Sequence, residues 1–148
     1  MALIEGCLLL FMSMVQPLNA KVISVDVRGR LLCDGKPHGK NGLGGWPKRV
    51  QLWDALNNVV IKPDGGFEEI SNRRGTFRIR GREATQIPMQ LIIYHHCYSS
   101  PLQECYKVHR IPIPRNTQRI LHDFGGVELL NTVGVFVDRN GQPCETSD

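Results

Sequence analysis

Apolar residues recur at every second position in short runs along most of the chain, and a period of two dictates strands rather than helices. In VISVDVRGRLLC (22–33), Val25, Val27, Leu31 and Cys33 share one face, while Asp26, Arg28 and Arg30 share the other. That pattern suits a strand with one side in a core and the other in water. Similar runs are RVQLWD (49–54), TFRIRG (76–81), MQLIIYHHC (89–97), YKVHRIPI (106–113) and VELLNTVGVFVD (127–138). Turn formers separate them: Asp34-Gly35-Lys36-Pro37, Pro63-Asp64-Gly65-Gly66, Gly75, Gly81, Ser99-Ser100-Pro101, Gly125-Gly126 and Asn140-Gly141. Short strands with turns at these intervals predict an all-β chain folded as an antiparallel sandwich. The 148 residues suit one domain. The longest irregular stretch, DGKPHGKNGLGGWPK (34–48), holds five glycines, and loops of that length are usually functional or mobile.

The first twenty residues stand apart. CLLLFMSMV (7–15) is an apolar run of signal-peptide length, followed by Pro17 and the small residue Ala20, so residues 1–20 are expected to be a signal peptide cleaved after Ala20. The run is too short to span a bilayer as a helix. The mature domain is then 21–148, a secreted, extracellular chain with eighteen basic against thirteen acidic residues and four cysteines. An even cysteine count in an oxidising compartment argues for two disulfides among Cys33, Cys97, Cys105 and Cys144.

The stretch LIIYHHCYSSPLQECYKV (91–108) invites a metal or a nucleophile. On a strand His95 and His96 point to opposite faces, however, and the usual zinc spacings are absent. No metal and no cofactor are therefore expected. The turn-rich YSSPLQE favours a Cys97–Cys105 bridge across a hairpin, which leaves Cys33 for Cys144, although four cysteines permit three connectivities. No G-x-S-x-G elbow, His-Glu-x-x-His or phosphate loop occurs, so the chain is read as a binding protein rather than an enzyme.

Charge is patterned as well as present. Arg78, Arg80 and Arg82 alternate with Phe77 and Ile79, Arg28 and Arg30 repeat the arrangement on the first strand, and Arg73 and Arg74 add charge at a turn. The plain reading is a solvated sheet face; the functional one is a surface for anionic lipid headgroups, glycosaminoglycan or an acidic protein patch. Near an anionic membrane each basic residue contributes about 1 kcal/mol, so three give roughly a hundredfold bias. Trp46, in the Gly-rich loop before Pro47, is the candidate apolar contact for a partner protein or membrane interface. Trp53 reads as a sheet residue packing against its neighbours. Secretion disfavours nucleic acid as a partner despite the positive charge.

Six blocks in order, VDVRGRLLCDGKP (25–37), VQLWD (50–54), GTFRIRG (75–81), PMQLIIYHHC (88–97), CYKVHRIPIP (105–114) and HDFGGVELL (122–130), resemble the nematode transthyretin-like proteins. The resemblance covers about residues 22–130. It implies a secreted Greek-key β-sandwich of seven or eight strands and a binding or adaptor role, bridging exposed phosphatidylserine or another anionic surface to an extracellular protein or cell-surface receptor. The wider fold also implies an alternative, carriage of a small hydrophobic ligand in a channel between subunits. Hydroxyisourate hydrolases of that fold carry a histidine in the first strand and a C-terminal Tyr-Arg-Gly-Ser. Residues 21–33 contain no histidine and the chain ends GQPCETSD, so that catalytic site does not transfer.

Overall fold

The computed structural model describes residues 23–40, 47–55, 59–60, 67–83, 88–98, 105–114 and 119–144. The expected signal segment 1–20 and Trp46 lie outside them. Alternating side chains resolve into two facing sheets. The first holds β1 (Ile23–Cys33), β2 (Lys36–Pro37), β6 (Thr76–Glu83) and β9 (Arg119–Glu128). β1 is central, with β6 antiparallel on one side and β9 parallel on the other. The second holds β3 (Arg49–Asp54), β4 (Val59–Val60), β5 (Glu68–Glu69), β7 (Met89–His95), β8 (Tyr106–Ile113) and β10 (Phe136–Val137), in the order β10-β8-β7-β3-β4 with β5 also against β3. Every pairing except β1 with β9 is antiparallel.

The core is the inner face that the alternation marked. Val25, Val27, Leu31, Phe77, Ile79 and Val127 meet Val50, Leu52, Leu91, Ile93 and Ile113 from the opposite sheet. Each such side chain contributes about 1.5–3 kcal/mol on burial. A second apolar layer lies on the outer side of the second sheet, where Ile92, Tyr106, Val108 and Val137 pack with Trp53 and Tyr94. Trp53 is thus a sheet residue, its indole Nε1 donating to Gln51 Oε1 at 2.8 Å.

Two expectations about the C-terminal strands are corrected. The strand expected over 127–138 is interrupted: β9 begins earlier, at Arg119, and ends at Glu128. Asn131 then takes a left-handed conformation, Thr132 N bonds back to Leu129 O, and the chain returns beside β8, where Val108 N donates to Val135 O. The two glycines at 125–126, read as a turn, instead continue β9 past an irregularity where its register against β1 shifts between Arg28 and Arg30.

The disulfide pairing is the other correction. Cys33 bonds to Cys97 and Cys105 to Cys144, not Cys97 to Cys105 and Cys33 to Cys144. The β7–β8 ladder ends at His95 and Lys107, before either cysteine. Cys97 N turns back to His95 Nδ1 and Tyr98 N to His96 O, a local turn that leaves Cys97 in the core beside the end of β1. Cys144 reaches Cys105 because its N–H donates to Phe136 O, and β10 pairs with β8 through Val137 and Tyr106. The stretch 34–37 forms a tight hairpin, with Asp34 and Gly35 both at positive φ between Cys33 and Lys36, the geometry of a two-residue primed turn.

Candidate anion-binding face

The predicted arginines converge on one surface. Arg28 lies directly across from Arg78, Asp26 across from Arg80, Ser24 across from Arg82, and Arg30 across from Thr76. Phe77 and Ile79, between the β6 arginines, are buried, so the arginines occupy the outer face of the first sheet. Arg119 takes the register position beside Ser24 on β9.

Two aspartates temper this charge, and the composition of the run TFRIRGR gave no sign of them. Arg78 donates to both Asp26 oxygens, at 2.9 and 2.6 Å, and Arg80 Nε lies 3.6 Å from Asp26 Oδ2. The hydrogen bonds from Arg78 hold the Asp26 carboxyl below its ordinary range, and the fields of Arg80 and Arg28 add to the effect. Asp123 is in register with Arg28 on the other side and accepts from Gly125 N at 2.8 Å. Among the described side chains of this face, Arg28, Arg30, Arg78, Arg80 and Arg82 outnumber Asp26 and Asp123.

Of these arginines, Arg78 is committed to Asp26, and Arg30 Nε donates to Arg74 O at 3.1 Å. Arg28 differs. Its Nε is buried and has no hydrogen-bond partner among the described residues, although a like charge sits directly across the strand pair. Opposed like charges destabilise a sheet. Beside it runs an open groove of about 520 Å³ whose walls include Arg28, Arg30, Arg78 and Thr76. Gly29, Phe77, Gly125, Gly126 and the acidic Asp123 line it as well. A Cβ on Gly29 would stand 2.8 Å from Phe77 Cζ, so the ring presses against bare backbone there, while a Cβ on Gly125 would meet nothing within 4 Å.

The adjacent histidines His95 and His96 serve architecture of another kind. His95 is fully buried on the inner side and accepts from Cys97 N through Nδ1 at 3.0 Å. His96 stacks against Tyr106 on the other side, with ring centroids 4.7 Å apart. The two are separated as expected, although β7 ends at His95 and His96 belongs to the turn that follows rather than to the strand expected over 89–97. What the sequence did not reveal is that a third histidine, His38, joins them: its Nε2 accepts from His96 N at 3.3 Å, and its ring meets His95 edge to face at 6.1 Å. Lys48, buried alongside, donates Nζ to Gly39 O at 2.7 Å. Burial depresses all three histidines, to about 4 for His38, about 3 for His95 and about 4 for His96, and the Lys48 charge pushes His38 and His96 further down. The four cysteines of the sequence reading are all in disulfides.

The model of the transthyretin-like family (TTR-52) matches residues 28–114. That span runs from the first basic strand through β8 and includes Arg78, Arg80 and Arg82. Among curated proteins, the chain is similar to Transthyretin-like protein 5 of Caenorhabditis elegans, with 32% identity over 114 residues, covering 72% of this chain and 76% of the relative. Both matches run across the two sheets that the alternation predicted and that the structure places face to face, and the chain therefore belongs to the transthyretin-like family.

Proposed function

We propose that this protein is a secreted adaptor whose basic sheet face binds anionic phospholipid at a membrane surface, phosphatidylserine being the natural ligand class. Membership of the transthyretin-like family makes it a protein of the binding or carrier type, in a family that is typically non-enzymatic. The observation that carries the finer reading is the placement of Arg28, Arg30, Arg78, Arg80 and Arg82 on one exposed face of one sheet. A flat array of guanidinium groups matches a layer of phosphates, which Arg engages through paired N–H donors. Among the described residues no helix is long and apolar enough to cross a membrane. Binding to a surface through charge is thus the mode the chain supports, with the opposite sheet left for a protein partner. Val133 and Val135, 94% and 64% exposed, lie in the segment that runs beside the β8 edge of that sheet before β10.

Asp26 makes this testable without removing an arginine. Asp26→Asn releases Arg78 and Arg80 and adds one net positive charge, about 1 kcal/mol near an anionic membrane, or roughly fivefold tighter binding. Co-sedimentation with phosphatidylserine vesicles should show that gain for the variant, and little binding of either protein to pure phosphatidylcholine vesicles. No binding to phosphatidylserine at low salt, or equal binding to both lipids, would sink the reading.

A further inference from the structure

We infer that the groove beside Arg28 is a discrete site for one phosphate-bearing headgroup, and that the rest of the face supplies only long-range attraction. This rests on the anionic-surface reading and narrows it to particular residues. A solvated basic face needs no concavity, and its arginines ordinarily find carboxylates, carbonyls or water. Here the strand irregularity between Arg28 and Arg30 coincides with a groove lined in part by glycines. The absence of a side chain at Gly125, where a Cβ would meet nothing within 4 Å, lets a ligand approach the backbone closely.

Arg28 supplies the argument for a ligand. A buried guanidinium N–H without a partner is costly, because its desolvation is not repaid. It also faces Arg78 across the strands, and it is offset by Asp26, whose carboxyl its field helps to keep ionised, and by Asp123, whose Oδ1 is engaged by Gly125 N. A tetrahedral oxyanion in the groove would accept from the terminal nitrogens of Arg28, Nε itself being closed to solvent, and would sit between the two opposed cations. Arg30 lines the same groove, held by Arg74 O through Nε, which leaves its terminal nitrogens to the ligand. Thr76 adds a hydroxyl on the β6 side. Arrangements that cost the empty fold something and are relieved by a ligand are characteristic of binding sites.

Arg80 and Arg82 lie on the same face but do not line the groove, which provides a charge-matched control. Binding to phosphatidylserine vesicles should be measured for Arg28→Gln/Arg30→Gln and for Arg80→Gln/Arg82→Gln, with free O-phospho-L-serine as a competitor in solution. A headgroup site predicts a loss on the order of tenfold greater for the first pair than for the second, from the charge-assisted hydrogen bonds it removes. It also predicts displacement by O-phospho-L-serine. Equal losses for the two pairs would overturn the groove while leaving the anionic-surface reading intact. Binding of free O-phospho-L-serine without vesicle binding would keep the groove and overturn the membrane. Binding of neither would overturn both. Thermal unfolding of the ligand-free variants separates folding from binding: Arg28→Gln/Arg30→Gln should unfold no earlier than wild type, and a clear drop would instead make Arg28 a structural residue.

Discussion

Lowering the pH from 7 to 4 is expected to remove several kcal/mol of stability, with a proton uptake on unfolding that peaks near three at about pH 5 and falls to about two at pH 4. His38, His95 and His96 titrate near 6.5 when unfolded and near 4, 3 and 4 when folded. A depressed histidine contributes nothing above the unfolded value, where both states are neutral. Below 6.5 the unfolded chain takes up protons that the folded one refuses, so stability falls until the folded values are reached. His95, fully buried, accounts for a loss on the order of 3 kcal/mol by pH 4. His38 and His96 are partly exposed and contribute less, since water screens them. Lys48, Lys107 and His109 face this cluster and oppose protonation, whereas Glu128 favours it at His38.

The carboxylates act in a lower window. Asp26 and Glu128 are held below their ordinary values, Asp26 chiefly by Arg78 and Glu128 chiefly by Gly35 N. Their contribution persists through mild acid and is lost only as pH falls through those lower values. Urea unfolding at pH 7.5, 6.5, 5.5 and 4.5 should therefore show a flat limb and then a steep decline beginning near pH 6.5. His38→Asn should flatten that decline by about one proton. Stability that stayed constant to pH 4.5 would show that the histidines are not buried as described.

The second large effect concerns the bridge between the sheets. Cys97 is 1% exposed, and its bond to Cys33 joins the end of β1 to the turn after β7 across 64 residues. On the chain-entropy view, Cys33→Ala/Cys97→Ala should cost roughly 4 kcal/mol of global stability. That bridge closes the same end of the sandwich as the segment 38–40, where His38 N donates to Leu31 O and Lys40 N to Asn72 O. Its loss should consequently also move the acid transition to higher pH. Cys105–Cys144 spans 39 residues and ties down the hairpin after β10. Cys105→Ala/Cys144→Ala should loosen that hairpin while the main core, which excludes it, holds. Peptide mapping under non-reducing conditions checks the pairing, and a Cys97–Cys105 peptide would contradict it.

Much of this architecture was legible because burial follows alternation. RVQLWD emerges with the predicted bounds as β3, and Phe77 and Ile79 point inward between outward arginines. β9 was missed because its glycines read as a turn, and only the parallel partner β1 shows that they continue a strand. The disulfides were mispaired for a related reason. Turn-rich residues between Cys97 and Cys105 suggested a hairpin bridge, but which way each cysteine turns past the end of a ladder depends on neighbours distant in the chain. Cys33 and Phe136 decide it. Asp26 and Asp123 were visible as residues but not as counterions, since cross-strand register is what places them beside arginines. His38 and Lys48 entered the histidine cluster from a loop whose sequence signalled only turns.

The outer face of the first sheet, and not that of the second, is expected to meet the anionic surface. Arginine-directed footprinting tests it most directly. The protein is treated with phenylglyoxal with and without phosphatidylserine vesicles, and modification is read by mass spectrometry at each site. Arg30, Arg80 and Arg82 are exposed on the first sheet, and Arg110 is exposed on β8 of the second. Vesicles should protect Arg30, Arg80 and Arg82 several-fold while Arg110 reacts as before; protection of Arg110 with the other three unchanged would contradict the account.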